Sequence, residues 1–360
     1  MNAPINSKPA GTSNLRTVPQ ATHETGSKHR VRPLHVTVMM APYSSSSSIT
    51  TTLEMFDSAN AMDWFNQRRN KESQSTQLFQ METASFDGGP VQCTGGVTLT
   101  PSKALDDIGQ TDLIIVPGFM FNILPVLHTL QPYSDWLKTK AEQGANVASI
   151  CTGAFVVAEA GLLDGRLATT HWMFLRQFQR RYPQVIIKDD YTVTDDQGFY
   201  CSGGASSAID LLIYLIRCFG SPELASECSR KLLVDTSRRT QTPYVQYNFK
   251  RNHEDQEILQ VQEWLEQNYH QDIVFDDVAV LFNFGVRNFI RRFKNATGDT
   301  PNQYLQNLRI ERAKFLLETT KNNFDQITYQ IGYEDSNSFR RLFKTRVGIG
   351  PADYRKKFQF

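Results

Sequence analysis

The sequence predicts an α/β N-terminal domain, a mainly parallel sheet with helices on both faces, followed by an all-α C-terminal domain with two helix-turn-helix units. Three observations carry this. Short β-like runs alternate with helical stretches from His35 to Phe219, the pattern of parallel strands joined by crossover helices. From His253 onward no convincing strand interrupts a helical pattern. Within that helical part, Phe289 and Phe293 recur as Phe339 and Phe343, Gly298 as Gly348, Pro301 as Pro351 and Tyr304 as Tyr354. A constant period near 50 marks a duplicated structural unit.

Composition narrows the class. At roughly 150 residues per domain, 360 residues make two or three domains. With 40% apolar and 21% charged residues, the chain is globular in type rather than disordered or fibrous. Its longest uninterrupted apolar run, 211–216, is far short of the ~18 residues needed to span a bilayer. Cys93, Cys151, Cys201, Cys218 and Cys228 are scattered and odd in number, with no zinc or disulfide spacing. The expectation is a cytoplasmic protein with no metal and no cofactor. Residues 1–32 are polar and lack the apolar core of a secretion signal. They read as a disordered tail carrying Lys8, Arg16, Lys28, Arg30 and Arg32 against the single acid Glu24.

The elements follow in order. Strands are expected at residues 35–40, 76–85, 113–116, 146–150 and 184–187. Helices are expected at 52–65, 122–143, 155–162, 172–181 and 205–219. The runs 113–116 and 147–150 are short and apolar, as in strands buried on both faces. The five serines 44–48 read as a loop. The helix over 205–219 closes the sheet domain, a further helix is expected over 222–235, and the first domain spans 33–235. A polar, Pro-containing stretch makes 236–252 a linker, and 253–360 form the second domain.

Charge is strongly segregated in that second domain. Residues 251–285 contain one basic and eight acidic side chains, whereas 286–360 contain 15 basic and seven acidic ones. A basic block of this kind is the electrostatic footprint of nucleic-acid binding. Each repeat reads as helix, tight turn, helix: 275–282 then 286–296, and 324–331 then 336–346. In each second helix the two phenylalanines lie four apart and share the buried face. That leaves Arg287, Asn288, Ile290, Arg291 and Lys294 pointing outward, with Ser336, Asn337, Arg340, Arg341 and Lys344 in the second unit. Arginine can clamp guanine and asparagine adenine in the major groove. Thr300-Pro301 should open a connecting helix, with proline at its first position.

Residues ~253–357 resemble the AraC/XylS-type DNA-binding domain, through TGDTPNQYLQNLRIERAKFLLE (297–318) and ITYQIGYEDSNSFRRLFKTRVGIGPADYRKKF (327–358). The resemblance implies double-stranded promoter or operator DNA as partner, with RNA polymerase a further candidate. Two residues depart from the usual pattern: Gly285 stands where Ser or Thr normally caps the recognition helix, and Thr328 replaces a small Ala.

In the first domain, Val147-Ala-Ser-Ile-Cys151-Thr-Gly-Ala154 reads as strand, sharp turn and helix, with small residues that let the turn pack closely. This is the nucleophile-elbow pattern with cysteine in place of serine, and a helix N-terminus there would lower the thiol pKa. His171 is a candidate imidazole partner. LIIVPG (113–118), ASICTGAFVVAEAGLLDGRLATTHW (148–172) and CSGGASSAIDLLIYL (201–215) resemble the PfpI/class I glutamine-amidotransferase-like superfamily, whose fold is flavodoxin-like. The two halves together resemble GlxA-type transcriptional regulators. The resemblance makes Cys151 the elbow cysteine and His171 the nearby histidine. However, the place of the acidic residue common in such enzymes falls in the serine run near Ser48, with Glu54 farther on in the following helix, and Thr152 follows the cysteine where some relatives carry histidine.

The reading is therefore a DNA-binding transcriptional regulator, an activator by family resemblance, acting as a homodimer and controlled by a small metabolite on a catalytically inactive amidotransferase-like domain. The expected pocket comprises Gly118, Phe119, Cys151, Thr152, His171 and Trp172. Helix-start amides there would face a carboxylate and the two aromatics an amine, which suits a zwitterion. The competing reading is a Cys-dependent hydrolase or glyoxalase-like enzyme fused to a DNA-binding module.

Overall fold

The computed structural model describes residues 32–69, 77–204, 206–234 and 240–359. Residues 1–31, which hold nearly all of the expected tail, lie outside them, as do 235, the last residue of the expected first domain, and 236–239 of the expected linker. Arg32, assigned to that tail, instead makes a two-pronged pair with Asp112 at 2.7 and 2.6 Å. The chain divides into two compact units at Gln241/Thr242.

The first unit runs β1 (Leu34–Met39), α1 (Ser46–Arg69), β2 (Phe79–Ser85), β3 (Val91–Gln92), β4 (Thr98–Leu99), β5 (Lys103–Ala104) and β6 (Leu113–Val116). Then come α2 (Ile123–Val126), α3 (Gln131–Glu142), β7 (Asn146–Ser149), α4 (Ala154–Glu159), β8 (Leu167–Ala168) and α5 (Leu175–Arg181). It ends with β9 (Ile186–Ile187), β10 (Val193–Asp196), β11 (Phe199–Ser202), α6 (Ser207–Phe219) and α7 (Pro222–Lys231). The main sheet has strand order β10-β11-β7-β6-β1-β2-β5. Every pairing in it is parallel except β10 with β11.

Alternation along the strands sorts two cores. Ile114, Val116 and Val147 face one way and pack with α3, α4 and α5 residues such as Leu137, Phe155 and Phe178. Leu113, Ile115 and Ala148 face the other way, with Phe56 of α1 and Leu211, Leu215 and Ile216 of α6. Both faces are covered, so the central strands are apolar throughout, as a doubly wound sheet requires.

Several expected boundaries shift for identifiable reasons. The serine run is not a loop, because α1 begins inside it at Ser46. Serine is a poor interior helix residue but a favoured one at helix starts. The single helix expected over 122–143 is broken, with Leu127–Leu130 forming a 3₁₀ turn between α2 and α3. Pro125 and Pro132 each lack an amide donor. The expected strand at 184–187 shrinks to β9, which pairs only with β8, outside the main sheet. The sheet edge is instead the hairpin β10–β11, unrecognised in the sequence because Asp195 and Asp196 disfavour strand. Its two-residue turn Gln197-Gly198 has φ of 52° and 88°, the geometry of a tight hairpin.

The second unit comprises α8 (Gln256–Asn268), α9 (Phe275–Leu281), α10 (Val286–Thr297), α11 (Pro301–Thr319), α12 (Phe324–Gln330), α13 (Ser336–Val347) and α14 (Pro351–Phe358). It has two small cores. Phe289 and Phe293 pack with Ile258, Leu265 and Tyr304, while Phe339 and Phe343 pack with Ile310, Leu317 and Tyr354. α11 supplies side chains to both, so the connecting helix is what holds the repeats together. Thr300 opens it with a reciprocal capping box to Gln303, a strong helix-start device. Among the described residues no helix is long and apolar enough to cross a membrane.

The expected linker is partly folded onto this unit. Tyr244 packs edge-on against Phe358 at 5.2 Å, and Phe249 against Tyr304 at 4.9 Å. Pro243 is buried, and Lys314 Nζ donates to the Val245 carbonyl at 2.7 Å.

Candidate functional site

Two places bring chemistry-bearing side chains together, one in each unit. The first lies at the carboxyl ends of β1, β6 and β7, where ligands usually bind in open α/β sheets. After β7 the chain turns sharply at Cys151, whose φ is +56°. That is an unusual conformation for a residue with a Cβ and is the elbow anticipated from the motif. Gly153 makes the turn possible: a Cβ there would lie 2.5 Å from the Pro117 carbonyl oxygen. The next layer is also tight, since a Cβ on Gly118 would meet the Cys151 Cβ at 3.3 Å.

A cavity of about 70 Å³ lies beside this elbow. It is lined by Gly118, Ile150 and Cys151 of the elbow layer, by the hydroxyl-bearing residues Ser45, Ser47, Ser48 and Thr51, and by Met120, Ala208 and Ile209. Among the described residues no charged side chain lines it. The loops around it are stitched together: Ser45 N–H donates to the Gly118 carbonyl at 2.6 Å, and Gly118 N–H to Ser48 Oγ at 3.3 Å. Ser48 thus sits beside the elbow, where the missing acid was expected.

Of the six residues expected to form the pocket, only Gly118 and Cys151 line it. Phe119 is fully buried in the core with Phe155 and Phe174, so it forms no wall. Thr152 is also buried, and its hydroxyl accepts the Phe119 amide at 2.9 Å. The Gly153 amide is spent on the Ile150 carbonyl at 2.9 Å, which removes one of the donors meant for a carboxylate. His171 and Trp172 stay half-buried beside one another, ring centroids 5.5 Å apart. The His171 Nδ1 accepts the Met173 amide at 3.2 Å, and burial pushes the imidazole pKa down. Thr170 is the link to the elbow, its hydroxyl donating to the Cys151 carbonyl at 2.9 Å. The hydroxyl side of the cavity was missed because the serine run reads as a loop; its proximity in sequence to β1 was the available signal.

The thiol also departs from expectation. Cys151 is 1% exposed, and desolvation pushes its pKa up to about 11 despite favourable contacts with Thr152. Burial, which penalises the thiolate, outweighs the short helix start.

The second place is the outer face of the helix-turn-helix repeats. Arg287, Asn288, Ile290, Arg291 and Lys294 are exposed on α10, and Asn337, Arg340, Arg341 and Lys344 on α13, with Ser336 half-exposed. Their inner faces are held by fully buried Phe289 and Phe293, and Phe339 and Phe343. Both second helices end at a left-handed glycine, Gly298 and Gly348, a common helix stop. α10 starts without a side-chain cap at Gly285, whereas Asp335 caps α13 through the Asn337 and Ser338 amides. Thr328 fits its buried position by donating to the Phe324 carbonyl at 2.8 Å. Some of the outer groups are already engaged. Arg291 donates to Asn288 Oδ1 at 2.7 Å. Arg340 lies over the Phe324 ring at 5.0 Å and 3.8 Å from Asp325.

Comparison with known proteins finds a family model for each half of the chain. The DJ-1/PfpI family model matches residues 36–217, just over half of the chain. The helix-turn-helix domain model matches residues 278–357. The HTH-type transcriptional regulator CdhR of Pseudomonas aeruginosa is 29% identical over 280 residues, 77% of this chain and 82% of that protein. The HTH-type transcriptional regulator GbdR of the same species is 26% identical over 281 residues, 78% of this chain and 76% of its own length. A solved AraC family transcriptional regulator from Pseudomonas putida superposes with a TM-score of 0.47 at 22% identity, covering 56% of this chain and all of that one. The chain belongs to the DJ-1/PfpI family, and it joins that domain to an AraC-type helix-turn-helix domain.

Proposed function

We propose that the protein is a transcriptional regulator that binds double-stranded DNA through α10 and α13 and responds to a small molecule in the elbow cavity. The observation that carries the DNA reading is the duplicated unit itself: two helices, each buried through a Phe-x-x-x-Phe pair, each turning arginines, asparagine and lysine outward. Such helices suit successive major grooves. The test is binding of the full chain to duplexes selected from a randomised pool. Affinity should fall steeply as salt rises, in proportion to the phosphates neutralised. A salt-insensitive or undetectable interaction overturns the reading.

The cavity supports a sensor reading over an enzymatic one. A nucleophile needs a base within reach and an activated thiol. Here the thiol is held protonated by burial, and the cavity wall offers serine hydroxyls where acid chemistry would need a carboxylate. At about 70 Å³ the cavity is well below the ~300–1,000 Å³ of drug-sized sites, so it suits a ligand of few atoms. A lining of serine and threonine together with apolar side chains fits a small polar metabolite. A thermal-shift screen of such compounds on the full chain tests this, since ligand at 100 times its Kd adds ~2.7 kcal/mol. The shift should vanish in Ser48→Val, which replaces a cavity hydroxyl with bulk. A shift retained there moves the effector site elsewhere. We include twofold dimerisation, the commonest oligomeric form, and sedimentation of the full chain reads it directly.

A further inference from the structure

We propose that Ile290 reads the 5-methyl group of a thymine, giving the first helix-turn-helix unit a base preference that the second does not share. The inference rests on α10 being a major-groove helix. Residues 287, 290, 291 and 294 recur at three- and four-residue spacing, so they form one stripe on the helix. Ile290 is 41% exposed and lies inside that stripe, among Arg287, Arg291 and Lys294. It takes no part in the core formed by Phe289, Phe293 and their neighbours, so packing does not account for it.

The repeat supplies an internal comparison. Fifty residues on, the counterpart of Ile290 is Arg340, which is folded against Phe324 and Asp325. Among the described residues, α13 has no large hydrophobic side chain that is exposed. The two units therefore differ in chemistry at the centre of the same stripe. A single exposed isoleucine is ordinary on a protein surface. In a major groove it is not neutral, because a branched aliphatic group pressed on a base edge either covers an apolar feature or strips water from donors and acceptors without replacing it. The thymine methyl is the apolar feature that the groove offers.

The test uses the full chain and the duplex recovered from the randomised pool. Each thymine is replaced in turn by deoxyuridine, which keeps every hydrogen-bonding group and lacks only the methyl. At one or two positions the wild type should lose about fourfold in affinity, the value of one buried methyl-sized group. Ile290→Ala should bind the thymine and uracil duplexes alike at those positions, and Ile290→Val should keep part of the preference. Alanine is the better helix former and the site is exposed, so folding is not at stake. If no replacement separates the wild type from Ile290→Ala, the inference is overturned while DNA binding stands. If the pool yields no enriched duplex, the DNA reading itself fails, and this inference with it.

Discussion

Arg292 grips the Asp255 carboxylate with two hydrogen bonds, from Nε at 3.0 Å and Nη2 at 2.7 Å. The same carboxylate caps α8 by accepting the Ile258 amide at 3.2 Å. Arg292 also pairs with Glu257 at 2.6 Å and lies over the Phe284 ring at 4.8 Å. Although it adjoins Arg291 in sequence, it is a structural clamp between α8 and α10 rather than a member of the outer face.

This clamp gives a stability prediction with a definite pH dependence. Asp255→Ala should cost about 1–2 kcal/mol, mostly through the lost cap, since a partly exposed ion pair adds little. Arg292 holds the Asp255 carboxyl below its ordinary range. Its contribution is thus fully present above the unfolded carboxylate value of ~3.9 and is lost as pH falls through the lower folded value. Urea unfolding followed by Trp264 in α8 should show the wild-type advantage over Asp255→Ala at neutral pH and its disappearance in strong acid.

Lys314 is the corresponding fastening for residues 242–250. Its ammonium is buried, donating to the Val245 carbonyl and to Glu311 Oε1, both at 2.7 Å. Burial pushes the Glu311 carboxyl pKa up, and Lys314 opposes that. Lys314→Met should destabilise the second unit by about 1–3 kcal/mol, because it leaves a carbonyl and a carboxylate unpaired. Adding Glu311→Gln should recover part of the loss, since the stranded charge is then gone. Strict additivity of the two changes in a double-mutant cycle would show that the pair is uncoupled.

How much of this was readable beforehand depends on what each signal measures. The repeat was legible to within a residue or two at α9, α10, α12 and α13, because a buried Phe-x-x-x-Phe pair and a glycine stop are local signals. The central strands β6 and β7 were equally plain, being apolar on both faces. The β10–β11 edge was hidden by two aspartates, and its identity comes from pairing with β7 rather than from propensity. At the elbow, the motif located the Cys151 turn correctly. It could not reveal that the Phe119 ring turns into the core, nor that α1 begins early enough to bring Ser48 to the Gly118 amide beside the elbow. Those depend on tertiary packing, which decides which side of a loop residue faces the cavity.

The elbow thiol gives a chemical prediction. With its pKa at about 11 and 1% of its surface exposed, Cys151 should be alkylated by iodoacetamide at neutral pH at least a hundredfold more slowly than a free thiol of pKa ~8.5. Site-resolved mass spectrometry reads this for each cysteine in the folded full chain. Labelling of Cys151 ahead of the others, at neutral pH, would mean an accessible thiolate and would revive the hydrolase reading. Gly153→Ala provides the structural complement. Its Cβ meets backbone at 2.5 Å, so a loss of about 1–3 kcal/mol from overpacking is expected.

The last prediction separates two arginines that composition treats as equivalent. Arg291 is exposed and engages only the neighbouring Asn288 among the contacts of its side chain described above. Arg291→Ala should therefore cost ~1–3 kcal/mol of DNA binding and relax the preference at a few base pairs. Arg340 must first leave the Phe324 ring and the Asp325 carboxylate, so Arg340→Ala should cost less. The converse change is the sharper test. Asp325→Asn removes the anion that competes for Arg340, and it should tighten binding at low salt and steepen the salt dependence, because a further cation becomes available for phosphate. Measured over a salt series on one selected duplex, an Asp325→Asn variant that binds no better than wild type would mean that Arg340 does not reach the DNA.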